Sequence, residues 1–164
     1  ELRVKIILPG IDPEEGFVWA RLASPEAGVG RGYFFRPEPG DEVVVGFFND
    51  DPRQAVILGS LYSSLNTAPE AMAELSEDNI NKGIVTKSGT TIQFVDDENA
   101  SLIIQTVSEN KIVLSDDEEL IELSDQHGNS VKLSADGIEI VSAGDLKIEA
   151  GGNVEITGEQ VDVK

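Results

Sequence analysis

From residue 92 to the last residue one short phrase recurs: apolar, polar, apolar, then a turn of Gly, Asn, Asp or Ser. The successive apolar pairs are Ile92/Phe94, Leu102/Ile104, Ile112/Leu114, Ile121/Leu123, Val131/Leu133, Ile138/Ile140, Leu146/Ile148, Val154/Ile156 and Val161/Val163. Their first members step by 10, 10, 9, 10, 7, 8, 8 and 7 residues, room for a very short strand and a corner. Alternation with a period of two puts one face of each strand in a core and the other in water. Two buried side chains cannot hold a strand alone, so the phrase predicts stacking into a continuous core.

A single-chain triangular solenoid uses about twenty residues per coil, which leaves this segment about three or four coils with open ends. Three interwound chains triple the core. The expected architecture is therefore all-β, with a C-terminal triangular β-helix, or β-prism, built by three chains over residues 85–164. Its expected trimer core is Ile112, Leu114, Ile121, Leu123, Val131, Leu133, Ile138, Ile140, Leu146 and Ile148, each worth roughly 1.5–3 kcal/mol on burial before conformational entropy is counted. Between the members of the late pairs stand Lys132, Glu139, Lys147, Glu155 and Asp162. The first four alternate in sign, which predicts cross-strand charge pairing that helps set register.

Charge follows the same division of the chain. Residues 1–95 carry 14 acidic and 8 basic side chains, and residues 96–164 carry 17 and 4, so most of the net charge of -19 lies in the repeats. Such a balance argues against nucleic acid and against an anionic membrane surface as standing partners. Acidity of this kind keeps a β-rich chain soluble and protects its edges. The runs Asp50/Asp51, Asp96/Asp97/Glu98 and Asp116 to Glu119 match neither an EF-hand loop nor a calcium-binding nonapeptide repeat, and no metal or cofactor is expected. There is no cysteine, hence no disulfide framework or thiolate site.

The first half is predicted to be a small barrel. Strand patterns cover Leu2–Leu8, Phe17–Ala23, Gly32–Arg36, Glu42–Phe48 and Gln54–Leu61, separated by turn signals such as Pro9-Gly10 and Ser24-Pro25. Five short strands without room for a long helix suggest a five-stranded OB-like barrel over residues 1–62. An oligonucleotide- or glycan-binding module is the alternative function, because Arg21, Arg31, Arg36 and Arg53 accompany Trp19, Tyr33, Phe34 and Phe35. The plainer role for those four aromatics is barrel core or interface. Residues 63–84 are expected to be a linker, with a short helix from Thr67 that includes Ala71, Met72 and Leu75.

The stretch from Gly16 to Tyr62 carries several ordered motifs: a Trp-Ala-Arg strand, Gly-Val-Gly-Arg-Gly, Pro-Glu-Pro-Gly-Asp-Glu-Val, an Asn-Asp-Asp-Pro turn and a closing Gly-Ser-Leu-Tyr. It resembles the barrel domain of VgrG proteins and the central spike proteins of contractile phage tails. Lys87-Ser88-Gly89 and the following repeats resemble the start and shaft of that family's β-helix. The resemblance implies a homotrimer that caps the inner tube of a contractile injection machine, contacts hub, baseplate and tube proteins at its barrel end, and pierces a membrane only in passing. It also implies assembly in the bacterial cytoplasm followed by expulsion. The family's large hub domains and toxin or lysozyme domains have no counterpart here, so the expectation is a cut-down or hub-less spike without enzymatic cargo.

No converging nucleophile, base and electrophile is visible. His127, the one histidine, lies in a turn, and the phrases from 102 to 163 lack the aromatic residues that a β-helical carbohydrate enzyme, the remaining alternative, would need. By resemblance, a self-sharpened tip would need a His-x-His metal site. The chain instead finishes in mid-repeat at Val161-Asp162-Val163-Lys164. The expectation is therefore a separate conical cap of the PAAR-repeat kind, bringing its own metal and seated on Val154, Ile156, Val161 and Val163.

Overall fold

The computed structural model describes residues 2–10, 14–73 and 77–162. The chain divides into two compact units, Glu1–Pro69 and Glu70–Lys164. There is no α-helix among the described residues.

In the first unit, β1 (Arg3–Ile7), β2 (Phe17–Leu22), β5 (Glu42–Phe47) and β6 (Ala55–Leu61) form one mixed sheet in the order β1-β2-β6-β5. β1 and β2 pair antiparallel, β2 and β6 parallel, and β5 and β6 antiparallel with a bulge between Val44 and Val45. Period-two alternation turns Val4, Ile6, Val18, Ala20 and Leu22 inward, where they surround the buried Ala55 and Ile57. A register shift at the bulge bends β5 and helps the sheet curl over this core.

The expected strand at Gly32–Arg36 does not form. Only a two-residue hairpin exists there, between β3 (Ala27–Gly28) and β4 (Arg31–Gly32). Gly32 has φ +135°, and a Cβ on it would stand 2.2 Å from the Glu26 carbonyl oxygen, so this position admits only glycine. Tyr33 N–H then donates to Glu26 O at 3.0 Å, and the Ser24 hydroxyl donates to Tyr33 O at 2.9 Å. These bonds tie Tyr33 to its own loop. The N-terminal unit is a four-stranded mixed sheet with a small hairpin rather than five equal strands.

The second unit begins with a single 3-10 turn, Glu70–Met72, shorter than the expected helix; Leu75 lies outside the described residues. The Met72 methyl packs over Gly83. Seven five-residue strands follow: β7 (Asn81–Val85), β8 (Thr91–Val95), β9 (Ser101–Gln105), β10 (Lys111–Ser115), β11 (Leu120–Ser124), β12 (Ser130–Ser134) and β13 (Gly137–Val141). They form one sheet in sequential order, every pair antiparallel. Over residues 81–141 the phrases therefore fold back on their own neighbours and do not wind between chains as expected. A step of nine or ten residues holds a five-residue strand and a loop long enough to reverse direction.

Three of the reversals share one construction. In Thr86–Thr90, Thr106–Asn110 and Asp125–Asn129 the first residue's side-chain oxygen accepts the fifth residue's N–H at 3.1, 3.2 and 2.9 Å. The fourth residue is left-handed each time: Gly89, Glu109 and Gly128. An oxygen-bearing side chain followed three positions later by a left-handed residue is the local signal for these hairpins. Beyond β13 the described residues 142–162 contain no strand.

Candidate functional site

Antiparallel register converts the sequence phrases into two uninterrupted columns on one face of the second sheet. One column runs Ile84, Ile92, Ile104, Ile112, Leu123, Val131, Ile140, each directly opposite the next. The other runs Phe94, Leu102, Leu114, Ile121, Leu133, Ile138, with Lys82 at its head. Among the described residues most of these side chains are exposed and the rest are partly buried. Ile112 and Leu114 are 38% and 41% exposed, and Ile138 reaches 73%. Leu146 and Ile148 continue the phrase beyond the sheet and are exposed, as are Val154, Ile156 and Val161; Val163 lies outside the described residues. Among the described residues of this unit, Leu120 is the one buried hydrophobic side chain, and it points to the opposite face. A face this apolar, contiguous and open marks an association surface.

On that opposite face Glu122, Lys132 and Glu139 stand directly across from one another. The register thus sets Lys132 between two carboxylates. Lys147, farther along, forms an ion pair with Glu149 two residues away.

The two edges of the sheet differ. Because the strands alternate in direction, the loops bearing Asp96/Asp97/Glu98, Asp116 to Glu119 and Asp136 all fall on one edge. No group of three or more His, Cys, Asp or Glu side chains arranged to hold a metal ion occurs among the described residues. Lys82 reaches Asp96 and the Asn79 carbonyl at this edge. The other edge carries the three similar turns, and there Asp125 is the best-held carboxylate. Its Oδ1 accepts from His127 N at 2.8 Å and Asn129 N at 2.9 Å, and its Oδ2 accepts from Asn129 Nδ2 at 2.7 Å. The Asn129 hydrogen bonds hold this carboxyl below the usual carboxylate range, with a smaller contribution from His127. Asn129 Oδ1 in turn accepts from Ala143 N at 2.9 Å, tying the turn to the chain leaving β13. His127 serves in this exposed turn.

In the first unit Trp19, Tyr33, Phe34 and Phe35 are all exposed, so the core there is aliphatic and small and the aromatics lie outside it. Two features escaped the sequence reading. Strand β7 falls within the expected linker, residues 63–84, plus Val85, because only Ile84 is apolar at the paired positions, Lys82 holding the other. Arg3 and Phe48 line one cleft with Arg21 and Arg53, brought together by strand register and a loop, neither of which leaves a periodic signal.

Residues 1–62 match the family of the type VI secretion system/phage-baseplate injector OB domain, and residues 101–164 match the phage baseplate V C-terminal trimerisation domain. The chain belongs to the phage baseplate V family. By their descriptions the first matched family belongs to phage-baseplate and type VI secretion injectors, and the second is a trimerisation domain. The trimerisation match in this baseplate V chain opens at Ser101, the first residue of β9, and takes in most of the exposed columns.

The chain is also similar to curated proteins. Over 76 residues it is 38% identical to the type VI secretion system spike protein VgrG3 of Vibrio cholerae, covering 44% of this chain and 8% of that protein. Over 76 residues it is 37% identical to the actin cross-linking toxin VgrG1 of Vibrio cholerae, covering 44% and 7%. Over 81 residues it is 30% identical to the spike protein VgrG1c of Pseudomonas aeruginosa, covering 49% and 11%. The matched part is thus a small share of each relative.

Proposed function

We propose that three copies of this chain form the rigid spike of a contractile injection machine, which caps the inner tube and punctures the target membrane when the sheath contracts. The observation that carries this reading is the pair of exposed apolar columns, one aligned through seven strands and the other through six. Three sheets meeting with these faces inward make a triangular prism whose core is continuous along its length. Residues 142–162, which carry the same phrase at steps of 7 and 8 residues, complete it by winding around the other two copies. Each tail then finds in its neighbours the ladder partners it lacks in its own chain.

The barrel end meets hub, baseplate and tube proteins, with Trp19 and Tyr33 to Phe35 as interface residues. A conical PAAR-like cap covers the apolar ring at Val154, Ile156, Val161 and Val163. The part performs no catalytic step, is assembled in the bacterial cytoplasm and leaves with the discharged machine. Resistance to unfolding is largely kinetic, because the strands must separate together. Sedimentation equilibrium at micromolar concentration is expected to give three times the chain mass of 17.6 kDa. A stable monomer would overturn the reading.

A further inference from the structure

The two end strands of the second sheet are finished differently. β7 has the Met72 methyl packed over Gly83. β13, the strand at the other end, is exposed at all five residues, and its Ile138 and Ile140 are the most exposed apolar members of the two columns. Proteins usually blunt an open end strand with a proline, a bulge or a very short run. β13 has none of these: five residues without proline pair with β12 in unbroken register. Its outward main-chain groups are therefore a template for one more strand.

The chain's own next phrase, Leu146-Lys147-Ile148, does not take that place. Residues 142–145 lack the left-handed residue present in four earlier loops, at Gly89, Glu109, Glu119 and Gly128. Ser142 Oγ lies 3.2 Å from the carbonyl oxygens of Gly144 and Asp145, and Ala143 N donates to Asn129 Oδ1 at 2.9 Å. These bonds hold the departing chain beside the turn that precedes β12, away from the open side of β13. The phrase is left extended and exposed.

We propose that the open side of β13 receives Leu146-Lys147-Ile148 of a second copy, with Lys147 directly opposite Glu139. Leu146 and Ile148 then lengthen the two apolar columns, and Lys147 extends the row Glu122, Lys132, Glu139 with its sign still alternating. The central pair is the same whichever way the incoming strand runs. Charge selects this occupant, because like charges in direct register are unfavourable. The later phrases would bring Glu155 or Asp162 against Glu139, and a second β13 meeting at its centre would bring Glu139 against Glu139. Lys147 keeps its exposed contact with Glu149, since an ammonium has donors for more than one carboxylate. This assignment rests on the trimer reading and adds to it the place where the chain stops folding on itself and the register in which copies first engage.

The chain has no cysteine, so introduced pairs report on one contact at a time. Full-length Glu139→Cys/Lys147→Cys, both exposed positions, is oxidised and run on a non-reducing denaturing gel. Residues in direct register stand within disulfide reach, so covalent trimer is expected as the main product. Glu139→Cys/Glu155→Cys and Glu139→Cys alone are each expected to link about tenfold less. A bond closed within one chain overturns the assignment, as does equal linking from position 155 or by the single variant, which marks a different register or two β13 strands meeting. Sedimentation of the reduced double variant separates the two readings. A trimer that gives no link between 139 and 147 overturns the strand pairing alone, whereas a monomer, for the variant and the wild type alike, overturns the trimer as well.

Discussion

The two sheets of this protein are built from the same kind of alternating strand and reach opposite outcomes. The N-terminal sheet bends at the Val44/Val45 bulge and closes over Ile6, Ala20, Ala55 and Ile57, the last only 1% exposed. The C-terminal sheet is a single layer whose register is regular and whose best apolar residues face solvent. The first satisfies itself with a few residues; the second has more hydrophobic side chains and, among its described residues, leaves most of them exposed. Apolar content therefore does not measure independence. What matters is whether the sheet can fold over its own apolar face.

The comparison breaks most sharply if the columns are charged. In the proposed trimer Leu123→Asp places three carboxylates in the shared core, and burying an unpaired charge is costly enough to prevent assembly. Sedimentation velocity is expected to show monomer or aggregate, with circular dichroism still reporting the N-terminal unit. Next in size, Ile57→Ala leaves a cavity in the N-terminal core and costs about 2–5 kcal/mol there. Its expected signature is the reverse: a lowered first melting transition with the trimer intact. If Ile57→Ala dissociated the trimer, the division of labour between the two sheets would be wrong.

A smaller effect tests the polar face. Lys132→Glu sets three like charges in a row with Glu122 and Glu139, a change of about 0.2–1 kcal/mol per cross-strand pair. The loss of melting temperature should be greater at low salt than at high salt, and a loss indifferent to salt removes the electrostatic explanation. The smallest effect is at Asp125. Its carboxyl is held below the ordinary range by Asn129, so its contribution is complete above that range and is lost as pH falls through the lowered value. The melting-temperature gap between wild type and Asp125→Asn should be constant at neutral pH and shrink below about pH 4.

The repeats were legible because period two is a property of the backbone: Ile112/Leu114 and Ile121/Leu123 had to share a face whatever the strands paired with. The barrel strands were legible for the same reason, except at Gly32–Arg36. There a run of aromatic residues has strand character, and a glycine wedged against the Glu26 carbonyl overrides it. Strand β7 leaves no such signal, because Lys82, the head of one column, carries a charge. The acidic runs read as solvated corners, but that they all line one edge follows only from the antiparallel order of the strands.

By itself, then, the sequence determined which side chains seek a common core, where the chain turns between strands and that its surface is acidic, since each of these is set by residue type and local spacing. Only the tertiary structure decided that the strands return antiparallel within one chain, that the columns run unbroken through six hairpins, and that Arg3, Arg21 and Arg53 converge beside Phe48. The reason is physical. Register and convergence depend on hydrogen bonds between residues far apart in sequence, and alternation is the same whether a strand's partner lies before it, after it or in another chain.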